Sequence, residues 1–185
     1  MPRSRPSATP PASALYDEWL VIAARQGERR ALERLHQRFD ARLLKAARRL
    51  TGDGETARDL VQECWLAILR GLPGLRDPAR FRAYAFGILY RRGMDHTRRA
   101  ISARQHEALD TALPDAHASS PPDRLAIAQA FAKLSPDQRL AAHLHFIEGL
   151  TLREIAEVQS IALGTAKSRL FHARRKLKAA LTEPT

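Results

Sequence analysis

Two capping boxes set the scale of the C-terminal third of the chain. Ser135 is followed by Pro136 and Gln138, and Thr151, just past Gly149, is followed by Glu154. In each box a hydroxyl can take the backbone N–H three residues on, while the longer side chain returns to the cap's own N–H. The proline is pre-set for a first helical turn. Starts this close together leave room only for short helices joined by tight turns. Upstream, Leu32, Leu35, Phe39, Leu43, Ala46 and Leu50 recur at helical spacing, with Gly27, Gly52 and Gly71 as stops. No stretch sustains the alternation of a half-buried strand, so the sequence predicts an all-α fold.

Punctuation divides the chain. Met1 to Ser13 holds four prolines and two arginines with little to bury, and reads as a disordered basic tail. Residues 14–103 read as a helical bundle. Residues 104–122, including "QHEALDTALPDAHASSPP", have a linker's composition, and 123–181 form a second helical domain. The net charge is +11, with +8 over residues 14–105, +4 over 123–185 and −3 over 106–122. Two basic domains flanking an acidic linker favour a polyanionic partner, nucleic acid before an anionic membrane surface.

Other classes are disfavoured. No apolar run approaches the ~18 residues of a membrane-spanning helix, and the first residues lack a signal peptide's hydrophobic stretch, which predicts a cytoplasmic protein without membrane insertion. The single cysteine, Cys64, cannot form an internal disulfide and sits among apolar residues as an inert thiol. His143 and His145 fall about 200° apart on a helix and cannot share a metal. With no phosphate loop and no nucleophile motif, neither catalysis nor a cofactor nor a metal is expected.

The segment "TLREIAEVQSIALGTAKSRLFHARRKL" has the form of a helix-turn-helix: a short helix to Val158, a break at 159–161, then a longer helix. On that helix Leu163, Ala166, Leu170, Ala173, Leu177 and Leu181 share one face. Opposite them lie Thr165, Ser168, His172 and Arg175, groups able to meet base edges, flanked by Lys167, Arg169, Arg174 and Lys176 for phosphates. No acidic residue occurs between Glu157 and Glu183. In the first domain, "RDLVQECWLAILRGL" begins amphipathic and turns apolar all round, so a second surface must cover it. After it, Phe81, Tyr84, Phe86 and Tyr90 interleave with Arg80, Arg82, Arg91, Arg92, Arg98 and Arg99, a composition suited to single-stranded DNA. Phe81, Tyr84 and Ile88 form the core stripe, which leaves Phe86 and Tyr90 as the freer aromatics.

These residues resemble a family. "GLTLREIAE" followed by "GTAKSRLFHARRKL" is similar to region four of bacterial RNA polymerase sigma factors of the extracytoplasmic-function group, which reads the minus-35 promoter element. The resemblance implies Thr165, Lys167, Ser168, Arg169 and His172 as readers. "DLVQE" resembles the part of sigma region two that grips a coiled coil of the polymerase's largest subunit, implying Asp59, Gln62, Glu63 and Leu66 as core-binding residues. By the same resemblance the loop from Gly74 to Arg80 shapes a pocket for a base flipped from the minus-10 element, with Tyr84 and Arg91 beside it and Arg98 and Arg99 on the backbone. Gln159, Ser160 and Ala166 depart from the family pattern, as does Gly93, and predict looser packing around the turn and along the helix. The implied partners are core RNA polymerase, promoter DNA as duplex and single strand, and an anti-sigma protein. Two other readings of the residues stay open: a polymerase-independent helix-turn-helix regulator, and an adaptor that binds a protein through "DLVQECWLAIL".

Overall fold

The computed structural model describes residues 12–106 and 131–182, except residue 132, and every regular element among them is helical. The linker lies mostly outside these residues, as does the tail. Their inner edges differ from expectation: Ala12 and Ser13 already belong to the first helix, and the fourth helix runs on to His106.

The helices are α1 (Ala12–Arg25), α2 (Arg29–Thr51), α3 (Gly54–Gly71), α4 (Phe81–His106), α5 (Pro136–Phe146), α6 (Leu152–Val158) and α7 (Leu163–Thr182). Gly27 and Gly52 adopt positive φ, at 91° and 77°, where a side chain would be strained, and they let α2 double back on α1 and α3 on α2. Asp53 caps α3 by accepting from the Thr56 N–H at 2.7 Å. Leu35, Phe39, Leu43, Ala46 and Leu50 all face inward from α2. Phe39 meets Phe81 edge-on, ring centroids 4.9 Å apart, which seats the start of α4.

Both capping boxes form as anticipated, at Ser135 with Gln138 and at Thr151 with Glu154. Gly149, at φ 70°, turns the chain between α5 and α6. The turn between α6 and α7 places Ser160 at φ 52°, a left-handed conformation that glycine would take without cost. Gln159 does not loosen that turn. It is buried, donates to the Asp137 carbonyl at 3.0 Å and accepts from Arg169 at 3.0 Å, so both ends of its amide are engaged. Ala166 is fully buried against α6 and the core.

Gly93 also corrects its expectation. A Cβ placed there would run into Leu50 Cδ2 and sit 3.3 Å from Leu60 Cδ2, so the glycine lets α4 approach α2 and α3 closely.

One apolar core runs through both blocks. Leu140, Leu144, Leu150, Ile155 and Val158 from the second belong to the same buried cluster as Phe39, Phe86 and Leu89 from the first. A smaller cluster of Phe131, Leu134, Ala142 and Ala173 ties α5 to α7. Polar contacts cross the seam as well. Arg42 of α2 reaches the Glu148 carboxylate with Nε at 2.9 Å and Nη2 at 2.5 Å, and Arg82 of α4 donates to the Glu148 carbonyl at 2.7 Å. Glu148 is 4% exposed. Burial alone would raise its carboxyl, and the adjacent His143 and Arg42 overcome that, holding it below the ordinary value.

Two outcomes follow. A depressed folded-state carboxyl contributes stability that is present above its unfolded value and lost as pH falls through the folded one. Urea unfolding should therefore show this contribution fading below about pH 4.5, the ordinary glutamate value. Arg42→Ala should cost about 3 kcal/mol at pH 7 by leaving a buried carboxylate with only His143 beside it. The deficit should shrink on acidification as that carboxyl takes a proton; a pH-independent deficit would count against the pair. In the second experiment, Gly93→Ala gains helix propensity but crowds two buried leucines, and should lower stability by about 1 kcal/mol, read as a shift in urea midpoint.

Candidate nucleic-acid and polymerase interfaces

The expected site residues sort onto three faces. On α7, Ala166 and Ala173 are fully buried while Leu170 and Leu177 are half-buried, as the spacing predicts; the side chain of Leu181 lies outside those described. Leu163 is the exception: at the helix start it is 51% exposed. Opposite the seam, Thr165, Lys167, Ser168 and Arg175 are exposed and His172 is half-exposed. Phe171 joins them at 62% exposure, its ring edge-on to His172 with centroids 5.6 Å apart. The polar-strip reading passed over it because it looked for hydrogen-bonding groups, whereas the signal was an aromatic residue placed among basic ones.

Arg169 lies apart from that strip. Its guanidinium turns inward to the Asp137 carboxylate at 2.6 Å and to the Gln159 side chain, so α5 and the turn after α6 hold it.

On α4 the structure reverses one assignment. Phe86 is completely buried and Tyr90 is 8% exposed, so neither aromatic is free. The helical wheel sets them opposite the core stripe, but the second block covers that side: Tyr90 Oη donates to Asp137 at 3.1 Å, and Val158 lies against Gly87. Burial raises the Tyr90 hydroxyl, and its hydroxyl contacts include the Asp137 carboxylate and Arg169.

Tyr84 is the freer aromatic. With Arg80 and Arg91 it lines a cleft of 290 Å³, floored by Ala83 and Gly87 and edged by Leu75 and Asp77. Asp77 starts this corner by accepting from the Ala79 N–H at 3.0 Å, which sets the 3-10 turn Pro78–Arg80 leading into α4. Glu157 and Val158 close the cleft from the second block, and Arg80 pairs with Glu157 there. Further along α4, Arg98 and Arg99 are exposed, Arg98 with Asp95 3.6 Å away.

On α3, Cys64, Trp65 and Ile68 are covered by the bundle, while Leu66 and Leu69 remain 54% and 42% exposed. Burial pushes the Cys64 thiol up to about 12, as an inert thiol requires. Asp59, Gln62 and Leu66 share the exposed face with Leu69, which continues the same i, i+3, i+4 spacing. Glu63 stands at the edge, bound to Arg92 at 3.1 Å and close to His96 at 3.3 Å. Beside the stripe an apolar cleft of 310 Å³ opens between Leu32, His36, Trp65 and Leu69. Trp65 is fixed at its edge by donating to Asp40 at 3.0 Å and by His36, whose ring centroid lies 4.5 Å away.

Among the described residues, no three His, Cys, Asp or Glu side chains gather to hold a metal ion, and no helix is long and apolar enough to cross a membrane.

Family models match both blocks: "Sigma-70 region 2" over residues 35–102 and "Sigma-70, region 4" over residues 124–177. The extracytoplasmic-function RNA polymerase sigma factor SigL of Mycobacterium tuberculosis is 34% identical over 170 residues, spanning 88% of this chain and 96% of that protein. The RNA polymerase sigma-H factor of Pseudomonas aeruginosa is 28% identical over 183 residues, spanning 89% and 93%. Among solved structures, CnrH in complex with the cytosolic domain of CnrY superposes with a TM-score of 0.63 at 29% identity, over 90% of this chain and 97% of that one. RpoE of Bartonella quintana, in complex with the anti-sigma factor NepR, shares the fold with a TM-score of 0.70 at 22% identity, over 83% and 98%.

Proposed function

The chain belongs to the extracytoplasmic-function group of the sigma-70 family, and we propose that it directs core RNA polymerase to promoters through the three faces on α3, α4 and α7. Its family role is transcription initiation; RNA synthesis remains with the polymerase, and the chain adds no chemistry of its own. It works in the cytoplasm, where the polymerase is, and an anti-sigma protein of the kind that restrains this group is a further partner.

The observation that carries the reading is the outward stripe of Asp59, Gln62, Leu66 and Leu69. Exposed leucines rimmed by polar groups have the makeup of a protein interface, an apolar centre within a polar edge. A helix-turn-helix regulator would need a second copy or another protein to cover it. Glu63 contributes by orienting Arg92 and by its own charge at the rim.

On the downstream element, Tyr84 supplies a face on which an extruded base stacks, a contact worth roughly 1–3 kcal/mol. Arg80 and Arg91 at the same cleft, with Arg98 and Arg99 along α4, follow the backbone phosphates. Phe86 and Tyr90 act from beneath, as the packing that keeps α4 straight behind Tyr84. On the upstream element Thr165, Ser168, His172 and Arg175 face base edges in the major groove, with Lys167 and Arg169 for phosphates. Phe171 adds an apolar surface suited to a thymine methyl.

Because Asp59 and Leu66 are exposed, Asp59→Lys with Leu66→Ala should leave the melting temperature unchanged. The same pair should weaken association with core polymerase at least ten-fold and abolish promoter-dependent transcription in vitro. Undiminished association would remove α3 as the grip. Running the wild-type holoenzyme on a randomised promoter library supplies the sequence preference in the same assay.

A further inference from the structure

A further apolar face, on α1, takes no part in the three surfaces described above. Leu15, Trp19 and Ile22 stand at i, i+4 and i+7 and are 48%, 48% and 44% exposed, and the exposed Gln26 continues their line just past the helix. Leu20, Val21 and Ala23 are buried, so α1 packs one side on the bundle and leaves a second hydrophobic side in water. The outer spacing of four, three and four is that of a seam between two helices. The Trp19 indole is already positioned for such a contact. Tyr16 stacks on it with ring centroids 5.9 Å apart, and Tyr16 is itself held by the Arg38 guanidinium over its ring and by Arg34, which donates to its hydroxyl at 3.4 Å. Arg38 in turn binds Asp17 at 2.6 Å. Ordering a large aromatic before it meets a partner removes part of the cost of burying it.

Charge identifies the occupant. Glu18 and Arg25, two helical turns apart, flank the seam on the same side, and neither has an ion-pair partner among the described residues. We propose that the chain forms a two-fold dimer through α1, laid antiparallel on a second copy of itself. With the two-fold axis at the level between Leu20 and Val21, each Trp19 lies across from the copy's Ile22 and each Leu15 across from the copy's Gln26. Each Glu18 then comes beside the copy's Arg25. The surface is complementary to itself, as an isologous contact requires. A parallel pairing would set Glu18 against Ala23 and gain no ion pair.

The dimer leaves the other faces in place. Helix α1 packs on α2 and on the 3-10 turns that precede α4, while the exposed stripe of α3 and the basic strip of α7 belong to other helices. One short helix pair is at the small end of specific interfaces, and a net charge of +11 on each copy opposes association. A weak dimer follows, half-formed at a protein concentration on the order of 50 µM.

Sedimentation velocity on the full-length protein, from about 5 to about 200 µM at 0.15 M salt, tests this. At that ionic strength repulsion beyond ~8 Å is screened while charges in contact still interact. The weight-average sedimentation coefficient should rise with concentration toward that of a dimer. W19S should weaken association at least ten-fold. E18R or R25E alone should weaken it about ten-fold, since each sets like charges together at two symmetric places. E18R/R25E exchanges the charges and should bring the dissociation constant back to within about three-fold of the wild type's, a recovery that requires the two positions to meet. These side chains stand on the outer side of α1, so the variants should keep a cooperative melt; should R25E weaken the end of the helix, E18R and W19S still carry the test. L66A/L69A strips the apolar face of α3 and should dimerise as the wild type does. A protein that stays monomeric to 200 µM, association that survives W19S, association lost in L66A/L69A, or a double exchange no better than the single ones would overturn the proposal. Neither polymerase nor DNA enters the measurement, so its outcome is independent of the promoter reading.

Discussion

Glu148 is the residue on which the arrangement of the two blocks turns. It follows the end of α5, just before Gly149, at a bend made with a positive φ, and its carboxylate is almost wholly out of solvent. A charge in that position requires a partner, because desolvation otherwise drives the group to its neutral form. Arg42 comes from α2, and Arg82, from α4, takes the Glu148 carbonyl. The bend between α5 and α6 is therefore tied to both long helices of the first block. Everything C-terminal of the bend, including the exposed face of α7, inherits its position from that knot.

The knot joins two parts that separate family models match. Apolar seams are non-directional, and many registers of α5 against α2 would bury Leu140 and Leu144 about as well. A buried ion pair with a second donor to the adjacent carbonyl accepts few geometries, and selecting among registers is the best-attested use of such a group. The packing of the two blocks is thus specified by polar contacts and stabilised by apolar ones. Arg42 also lies 3.9 Å from Asp17, which extends the network to α1 and leaves the guanidinium with an anion at either side.

Much of this was legible in the residue order, because caps and periodicity are local properties. Both capping boxes, the glycine stops at Gly27 and Gly52, the α2 stripe and the buried alanines of α7 follow from side chains within a few residues of one another. What escaped was non-local. Phe86 and Tyr90 stand opposite Phe81 on the helix and read as free until a second block is laid over them. Gln159 reads as a poor replacement for an aliphatic residue until the fold brings the Asp137 carbonyl and Arg169 to the two ends of its amide. Gly93 reads as a weak point until Leu50 and Leu60 are seen to fill the space its side chain would need. In each case the residue type is explained by a neighbour more than nine positions away, information that a helical wheel does not contain.

The seam also decides which surfaces the protein presents. Glu157 and Val158 wall the cleft in which Tyr84 lies, Phe86 and Tyr90 are covered, and Arg80 is paired with Glu157. Leu66 and Leu69 on α3 lie outside the seam and stay exposed while the blocks are together. A basic and aromatic face is therefore covered in part by the packing of one block on the other, while an apolar one is left open. Burial of those leucines has to come from another molecule, since the packing of the described residues does not reach them.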